Sequence, residues 1–269
     1  MSIETNGKGD LGASILTTDV PVLRAQSIKK HFGAVEAIRD ATLIAHAGEI
    51  VGLVGDNGAG KSVLVKCICG ALHPDAGELY FKGERVSFSS VRDAHDQGIE
   101  TVYQDLAQAP DLSVADNMYL GREPIGTGWR RLIRCLDEPK MRAQAVSALD
   151  QLGIVLPSLR TSVRSLSGGQ RQVLAVARAF AWASSALLMD EPTAALGTRQ
   201  VELVYDAVRA AAANDLAVVV VSHDLPSVLS IADSIAIMRQ GVIVLQVPTS
   251  QVDLRTVIDV MLGARTDLS

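Results

Sequence analysis

The 269-residue sequence has few cysteines, few aromatic residues and no long apolar run, and each shortage excludes a class of protein. The three cysteines form an odd set without the paired spacing of a metal site, which favours a reducing compartment; they are Cys67, Cys69 and Cys135. We interpret the first two as residues that fill a helix. The longest apolar run, LAVVVV at residues 216–221, is too short to span a membrane and predicts a buried strand.

Positive charge is also in short supply. The net charge is −5 and the sequence pI is about 5.5, which argues against a broad electrostatic footprint for nucleic acid, so we predict no nucleic-acid partner. The first 20 residues lack a basic segment followed by an apolar one and are therefore not a secretory signal. We expect residues 1–20 to form a loose tail.

Glycine, in contrast, is concentrated in one short stretch. The octapeptide GDNGAGKS at residues 55–62 follows the apolar run EIVGLV and precedes VLVKCICGAL, whose apolar residues recur at helical spacing. The order strand, glycine loop, helix is the context that a G-x-x-x-x-G-K-[ST] phosphate-binding loop requires. Gly55, Gly60, Lys61 and Ser62 fit that pattern. The alternative is a glycine-rich turn with an exposed lysine.

Phosphate chemistry explains this composition. Phosphate oxygens must approach several backbone N–H groups at once, which side chains would obstruct, and the helix N-terminus adds partial positive charge. We expect Lys61 to reach the β- and γ-phosphates and the Ser62 hydroxyl to ligate Mg²⁺. The predicted nucleotide-binding residues of the loop are Gly55, Asp56, Asn57, Gly58, Ala59, Gly60, Lys61, Ser62 and Val63.

A second stretch, SSALLMDEPT, places two acidic residues at the end of another apolar run. Asp190 ends the run and is predicted to hold Mg²⁺ through water. Glu191 follows it, turned the other way, and can polarise an attacking water. Two solvated acids at a strand end are common, so this prediction depends on the glycine loop.

The pentapeptide LSGGQ at residues 166–170, followed by the helical run RQVLAVARAF and then LLMDEPT, resembles the signature motif of ABC-type ATPases. Phe32 in KHFG, Gln104 in VYQD and His223 in VVVVSHD occur in the order that this family shows. The resemblance covers residues 22–262. It implies an α/β fold of the P-loop NTPase type, with a mainly parallel sheet core, an N-terminal antiparallel β region and an inserted helical subdomain.

The resemblance also implies the site chemistry. Phe32 is expected to stack on adenine, Gln104 to contact the metal as the Q-loop residue, and His223 to sense the γ-phosphate. Each has a simpler alternative: a core aromatic, a polar loop residue, and a strand-end histidine satisfied by hydrogen bonds. The implied cofactors are ATP and Mg²⁺, with Ser62, Gln104 and Asp190 as metal ligands, and the implied catalytic residues are Glu191, His223 and Lys61.

Signature residues in this family act across a head-to-tail dimer. The resemblance therefore implies a homodimer in which one copy offers its signature to the nucleotide of the other. The signature residues are Ser167, Gly168, Gly169 and Gln170. Two positions of the phosphate loop, Asp56 and Val63, and Gly197 in the D-loop differ from the usual family residues. We expect nucleotide binding to survive the differences at Asp56 and Val63. At Gly197, the resemblance implies the loss of a charge that normally helps communication across the dimer.

The segments GIETVYQDLAQAPDLSVADNMYLGREP and EPTAALG are similar to ATP-binding subunits of bacterial importers of ribose, xylose or fructose. This implies an ATP-hydrolysing subunit on the cytoplasmic side of the inner membrane. Its partners would be a membrane permease and, indirectly, a periplasmic sugar-binding protein. Transport of another solute and a soluble, non-transport ABC ATPase are the alternatives.

The predicted organisation is one ATPase domain over residues 21–262. Residues 105–165 would form the helical subdomain, and residues 263–269 a C-terminal tail. Within the subdomain, a helical stripe is predicted to be core; it consists of Met141, Ala145, Leu149 and Leu152.

Overall fold

The computed structural model describes residues 20–126, 135–194 and 196–265. Its strands are β1 (Leu23–Phe32), β2 (Val35–Ala45), β3 (Ile50–Val54), β4 (Ala76–Phe81), β5 (Glu84–Val86), β6 (Ile99–Val102), β7 (Ala186–Asp190), β8 (Ala217–Val221), β9 (Ser234–Arg239) and β10 (Val242–Pro248). In the described residues they form one sheet, in the order β5-β4-β1-β2-β10-β9-β3-β8-β7-β6.

The described residues also form α-helices. They are α1 (Lys61–Ile68), α2 (Val91–Asp96), α3 (Val114–Tyr119), α4 (Glu138–Gln151), α5 (Gly168–Trp182), α6 (Thr198–Ala213), α7 (Leu225–Leu229) and α8 (Leu254–Leu262). Across the ranges that the structure describes, no helix combines the length and the apolar character needed to cross a membrane.

The sheet has an antiparallel half and a parallel half. The strands β1, β2, β4 and β5 pair antiparallel, while β9, β3, β8, β7 and β6 pair parallel in that order. Every residue of β3, β7 and β8 is buried, which is why these strands read as continuous apolar runs. This confirms the predicted fold class, including the N-terminal antiparallel region and the buried strand predicted at residues 216–221.

Between β6 and the signature helix α5, the described residues include helices α3 and α4. Helix α3 begins with a reciprocal cap between Ser113 and Asp116, and helix α4 begins at the cap of Asp137 with a proline in its first turn. The predicted stripe is buried in the large core, at Met141, Ala145, Leu149 and Leu152. The subdomain boundaries at residues 105 and 165 stay a prediction, and its residues 127–134 lie outside the described residues.

The predicted terminal tails fall mostly outside the described ranges, which exclude residues 1–19 and 266–269. Before the C-terminal tail, Gly263 ends helix α8 in a left-handed conformation (φ 79°), as a C-cap glycine does.

Candidate nucleotide-binding site

The sheet order brings three sequence motifs to one edge. Strand β3 lies next to β8, and β8 lies next to β7, all parallel. The glycine loop follows the carboxyl end of β3, His223 follows that of β8, and Asp190 and Glu191 lie at that of β7. Ligands of open α/β sheets bind at this edge. The structure thus brings together the motifs that the sequence predicted to act on one phosphate.

The glycines of the loop are required for two different reasons. Gly55, Gly58 and Gly60 have φ values of 153°, 80° and 106°. A Cβ added at Gly55 would lie 2.1 Å from the Met238 carbonyl oxygen, and one at Gly60 would lie 2.5 Å from that of Ala37. A Cβ at Gly58 would meet nothing within 4 Å. Two glycines therefore let the loop pack on the sheet, and the third leaves the outer side open.

The Lys61 side chain contacts the backbone of its own loop. The side chain is buried, and its Nζ donates hydrogen bonds to the carbonyl oxygens of Gly55 at 2.7 Å and Asp56 at 2.9 Å. Burial lowers the pKa of this ammonium group, and the nearby acids Glu191, Asp190 and Asp56 oppose the shift. The alternative of an exposed lysine on a glycine-rich turn is excluded, because Lys61 is only 6% exposed.

Ser62 and Asp190 form a direct link between the loop and strand β7. The Ser62 hydroxyl donates a hydrogen bond of 2.9 Å to Oδ1 of Asp190. Asp190 is buried, which raises its pKa, while the bond from Ser62 lowers it in part. A hydroxyl and a carboxylate are hard oxygen donors of the kind that Mg²⁺ prefers, so this pair fits the metal.

Glu191 and His223 form the next pair along the edge. The Oε2 atom of Glu191 lies 3.1 Å from Nδ1 of His223, and the histidine side chain is 62% exposed. Glu191 has a φ of 53°, a conformation that non-glycine residues adopt at a cost, and its N–H donates to the Val221 carbonyl oxygen at 3.1 Å. This backbone turn brings Glu191 to the end of β8, where it meets His223, whereas Asp190 contacts Ser62.

Phe32 lies at the end of β1 with 48% of its surface exposed. This exposure excludes the alternative that it is a core aromatic. Lys30 Nζ lies 5.7 Å from the centroid of the Phe32 ring, a cation–π distance.

Gln104 is exposed on the loop that follows β6. It lines a groove together with Asp105, Leu106, Ala107, Gln108, Pro110, Val163, Arg164 and Arg171.

Hydrogen bonds join the loop after Gln104 to the signature helix α5. Arg178 donates hydrogen bonds to the carbonyl oxygens of Leu106 at 2.9 Å and Ala107 at 3.1 Å. Gln108 Nε2 donates to the Arg171 carbonyl oxygen at 2.7 Å. The sequence reasoning missed Arg178. Its one signal is an arginine inside the apolar helical run VLAVARAF.

The signature begins helix α5 with a reciprocal cap. Ser167 Oγ accepts a hydrogen bond from the Gln170 N–H at 3.2 Å, and Gln170 Oε1 accepts from the Ser167 N–H at 2.9 Å. Ser167 and Gly168 are exposed, whereas Gly169 is buried. A Cβ at Gly168 would meet nothing within 4 Å. The first residue of the helix, Gly168, is thus open to solvent at a helix N-terminus, where an anion is favoured.

The D-loop position Gly197 caps helix α6 through its backbone. Its N–H donates a hydrogen bond of 3.2 Å to Gln200 Oε1.

The ABC transporter family model matches residues 38–194. Among curated proteins, the chain is 44% identical to the fructose import ATP-binding protein FrcA of Rhizobium meliloti, over 82% of this chain and 86% of that protein. It is 38% identical to the xylose/arabinose import ATP-binding protein XylG of Sulfolobus acidocaldarius, over 89% of this chain and 93% of that protein.

A ribose import ATP-binding protein, RbsA of Rhodopirellula baltica, is 39% identical over 86% of this chain, but the match spans only 44% of that protein. Among solved structures, the ATP-binding cassette MJ1267 of an ABC transporter in its ADP conformation superposes with a TM-score of 0.76 at 23% identity. The match covers 90% of this chain and 95% of that one, and it shows the fold alone.

Proposed function

Because this chain belongs to the ABC transporter family, we propose that it is the ATP-hydrolysing subunit of an importer for a monosaccharide of the ribose, xylose or fructose type. One observation carries the chemical part of the proposal. The glycine loop, the bonded pair Ser62 and Asp190, and the pair Glu191 and His223 all lie at the ends of three adjacent parallel strands.

ATP is proposed to bind with its phosphates on the glycine loop and its adenine on Phe32. The loop residues that contribute are Gly55, Asp56, Asn57, Gly58, Ala59, Gly60, Lys61, Ser62 and Val63. The Lys61 ammonium already contacts two loop carbonyls, so a phosphate would find it positioned inside the cradle. Mg²⁺ held by Ser62 and Gln104, and by Asp190 through water, would neutralise phosphate charge.

Hydrolysis is assigned to the two side chains at the ends of β7 and β8. Glu191 orients and polarises the attacking water. His223, whose Nδ1 lies 3.1 Å from Oε2 of Glu191, contacts the γ-phosphate. Phosphoryl transfer depends on positioning and charge stabilisation more than on covalent chemistry, which suits an arrangement fixed by backbone hydrogen bonds. Lys61 stabilises the charge that develops on the transferred group.

A second copy of the chain completes each site in this proposal. Ser167, Gly168, Gly169 and Gln170 of one copy face the γ-phosphate that the other copy holds on its loop. The exposure of Ser167 and Gly168 at a helix N-terminus supports this arrangement. Two identical copies, head to tail, would then give two competent sites.

Sugar import is inferred from the relatives, whose names assign fructose, xylose or arabinose, and ribose import to those proteins. An ATPase subunit does not touch the solute, so the permease and a periplasmic sugar-binding protein would select it. We place the chain on the cytoplasmic face of the membrane and the permease contact in the groove beside Gln104. The acidic composition gives no reason to add a nucleic-acid partner.

The test is purification of the tagged chain from membranes, followed by reconstitution with whatever copurifies. A permease, two copies of this chain and ATP turnover stimulated by a sugar-loaded receptor protein are the expected result. Stimulation by a receptor for another solute class would overturn the sugar assignment and leave the ATPase intact. Recovery with RNA and without a membrane protein would overturn the transport role.

A further inference from the structure

Asp75 lies outside the nucleotide motifs, yet its carboxylate holds the end of β1. Lys30 Nζ donates to its Oδ1 at 2.9 Å, and the backbone N–H of His31 donates to its Oδ2 at 2.7 Å. The His31 ring nitrogen Nδ1 also lies 2.7 Å from Oδ2. The backbone N–H of Asp75 itself donates to the Lys29 carbonyl oxygen at 2.8 Å.

The sheet explains why a side chain is needed there. Strand β4 begins at Ala76, whose partner on β1 is Lys29. Beyond Lys29, the residues of β1 that lead to Phe32 pair with β2 and have no partner on the β4 side. The Asp75 carboxylate accepts the N–H that faces this open side and so continues the hydrogen bonding past the end of β4. The strand end is thereby fixed on both sides.

The same carboxylate fixes the cation beside the exposed aromatic ring. Lys30 has only 14% of its side chain exposed, and its Nζ lies over the Phe32 ring at 5.7 Å from the centroid. The pKa of Asp75 is lowered, first by the bond from Lys30 and then by the His31 N–H, so the carboxylate is charged at neutral pH. Asp75 therefore controls both the backbone before Phe32 and the charge at its ring.

We propose that Asp75 is a positioning residue for the nucleotide base: by holding Lys30 and the His31 backbone, it orients Phe32 as the surface on which adenine stacks. This inference rests on the proposed stacking of adenine on Phe32. It adds a residue that lies outside the phosphate loop and acts through Lys30 and His31. Its effect is accordingly confined to ligands that carry a base.

The experiment compares two probes by calorimetry, ATP and inorganic tripolyphosphate, which has the phosphates without the base. Asp75→Asn keeps an acceptor for the His31 N–H but loses the charge, whereas Asp75→Ala loses both. We expect ATP affinity to fall about 3-fold in the first variant and about 10-fold in the second, with tripolyphosphate affinity unchanged. Lys30→Gln removes the ion pair with Asp75 by changing the cation instead of the carboxylate. The matched control is Asp206→Asn, which alters an exposed ion pair with Arg209 on helix α6.

The outcomes separate the two claims. A Phe32→Ala variant that binds ATP normally would remove the stacking role itself. If Phe32→Ala weakens ATP binding while the variants of Asp75 and Lys30 bind ATP like the wild type, stacking stands and the positioning role of Asp75 is wrong. Equal loss of ATP and tripolyphosphate binding in the Asp75 variants, with a lowered melting temperature, would assign Asp75 to folding and overturn the inference.

Discussion

Gly169 of the signature lies directly against the side chain of Gln200 on helix α6. A Cβ added at Gly169 would lie 2.6 Å from Gln200 Cγ and 2.9 Å from its Cβ. Gln200 is itself held, because its Oε1 accepts the Gly197 N–H. The missing side chain at Gly169 therefore lets the signature helix contact the start of α6, which follows the D-loop, within the same chain.

This contact predicts that the two signature glycines respond oppositely to alanine. Gly168→Ala adds a methyl group to open space at the start of a helix and should leave stability unchanged or raise it by up to about 1 kcal/mol. Gly169→Ala forces Gln200 or the helix to move and should cost about 1–3 kcal/mol. Thermal unfolding of both variants measures the difference.

Gln200→Ala, combined with Gly169→Ala, is the control. If the clash with Gln200 is the cause, the double variant should lose less stability than the two single losses added together. Additive losses would show that Gly169 is needed for another reason.

Glu191→Gln removes the charge that polarises water and keeps the size of the side chain. We expect ATP binding to persist and hydrolysis to fall about 10²- to 10⁴-fold, since the amide cannot accept a proton. Steady-state ATP turnover and equilibrium ATP binding are measured side by side. Glu202→Gln, an exposed change on α6, should turn over ATP at the wild-type rate. Wild-type turnover in Glu191→Gln would remove this residue from the reaction.

The hydrogen bonds of Arg178 join the loop after Gln104 to the signature helix α5, and we predict that ATP turnover depends on them. Arg178→Lys cannot keep both carbonyl contacts, to Leu106 and Ala107, so the loop should shift relative to α5. We expect ATP turnover to fall about 10- to 100-fold while ATP affinity stays close to that of the wild type, because the phosphate loop is untouched. Arg209→Lys, which alters an exposed pair with Asp206, is the matched control. A parallel loss of ATP affinity would contradict the link.

The sequence predicted that the glycine loop, the two acids and the histidine lie together, and in the structure they lie at the ends of adjacent parallel strands. A glycine loop after β3, acids after β7 and a histidine after β8 must meet, because carboxyl ends of adjacent parallel strands share an edge. The contacts between helices and loops were not predictable. Arg178 lies 72 residues from Leu106, and the positive φ of Glu191 follows from local backbone contacts that no periodicity reveals.

A charged cluster around the buried Glu100, on the edge strand β6, gives the last prediction. Glu100, on β6, accepts a hydrogen bond of 2.7 Å from Arg122, which also contacts the ring of His95 on α2. Oε2 of Glu100 lies 3.5 Å from His95 Nε2. Burial, and then the charge of Arg122, hold the pKa of His95 below its ordinary value of 6.5, while Asp96 opposes the shift. In the folded protein, His95 is therefore the neutral acceptor that this cluster requires.

The sign of the effect on stability follows from linkage. In the unfolded chain His95 takes up a proton near pH 6.5, and in the folded chain only at lower pH. The contribution of the neutral His95 to the free energy of unfolding is therefore complete above about pH 6.5. It is lost as the pH falls through the folded pKa, with a slope of at most about 1.4 kcal/mol per pH unit.

The His95→Gln variant should lose less stability than the wild type between pH 7 and 5, measured by urea unfolding. The control variant His73→Gln, at an exposed position, should lose as much as the wild type. Because burial raises the pKa of Glu100, its own titration acts in the opposite direction, and the comparison with the wild type at each pH isolates the histidine. An unchanged pH dependence in His95→Gln would show that the cluster accepts a charged His95.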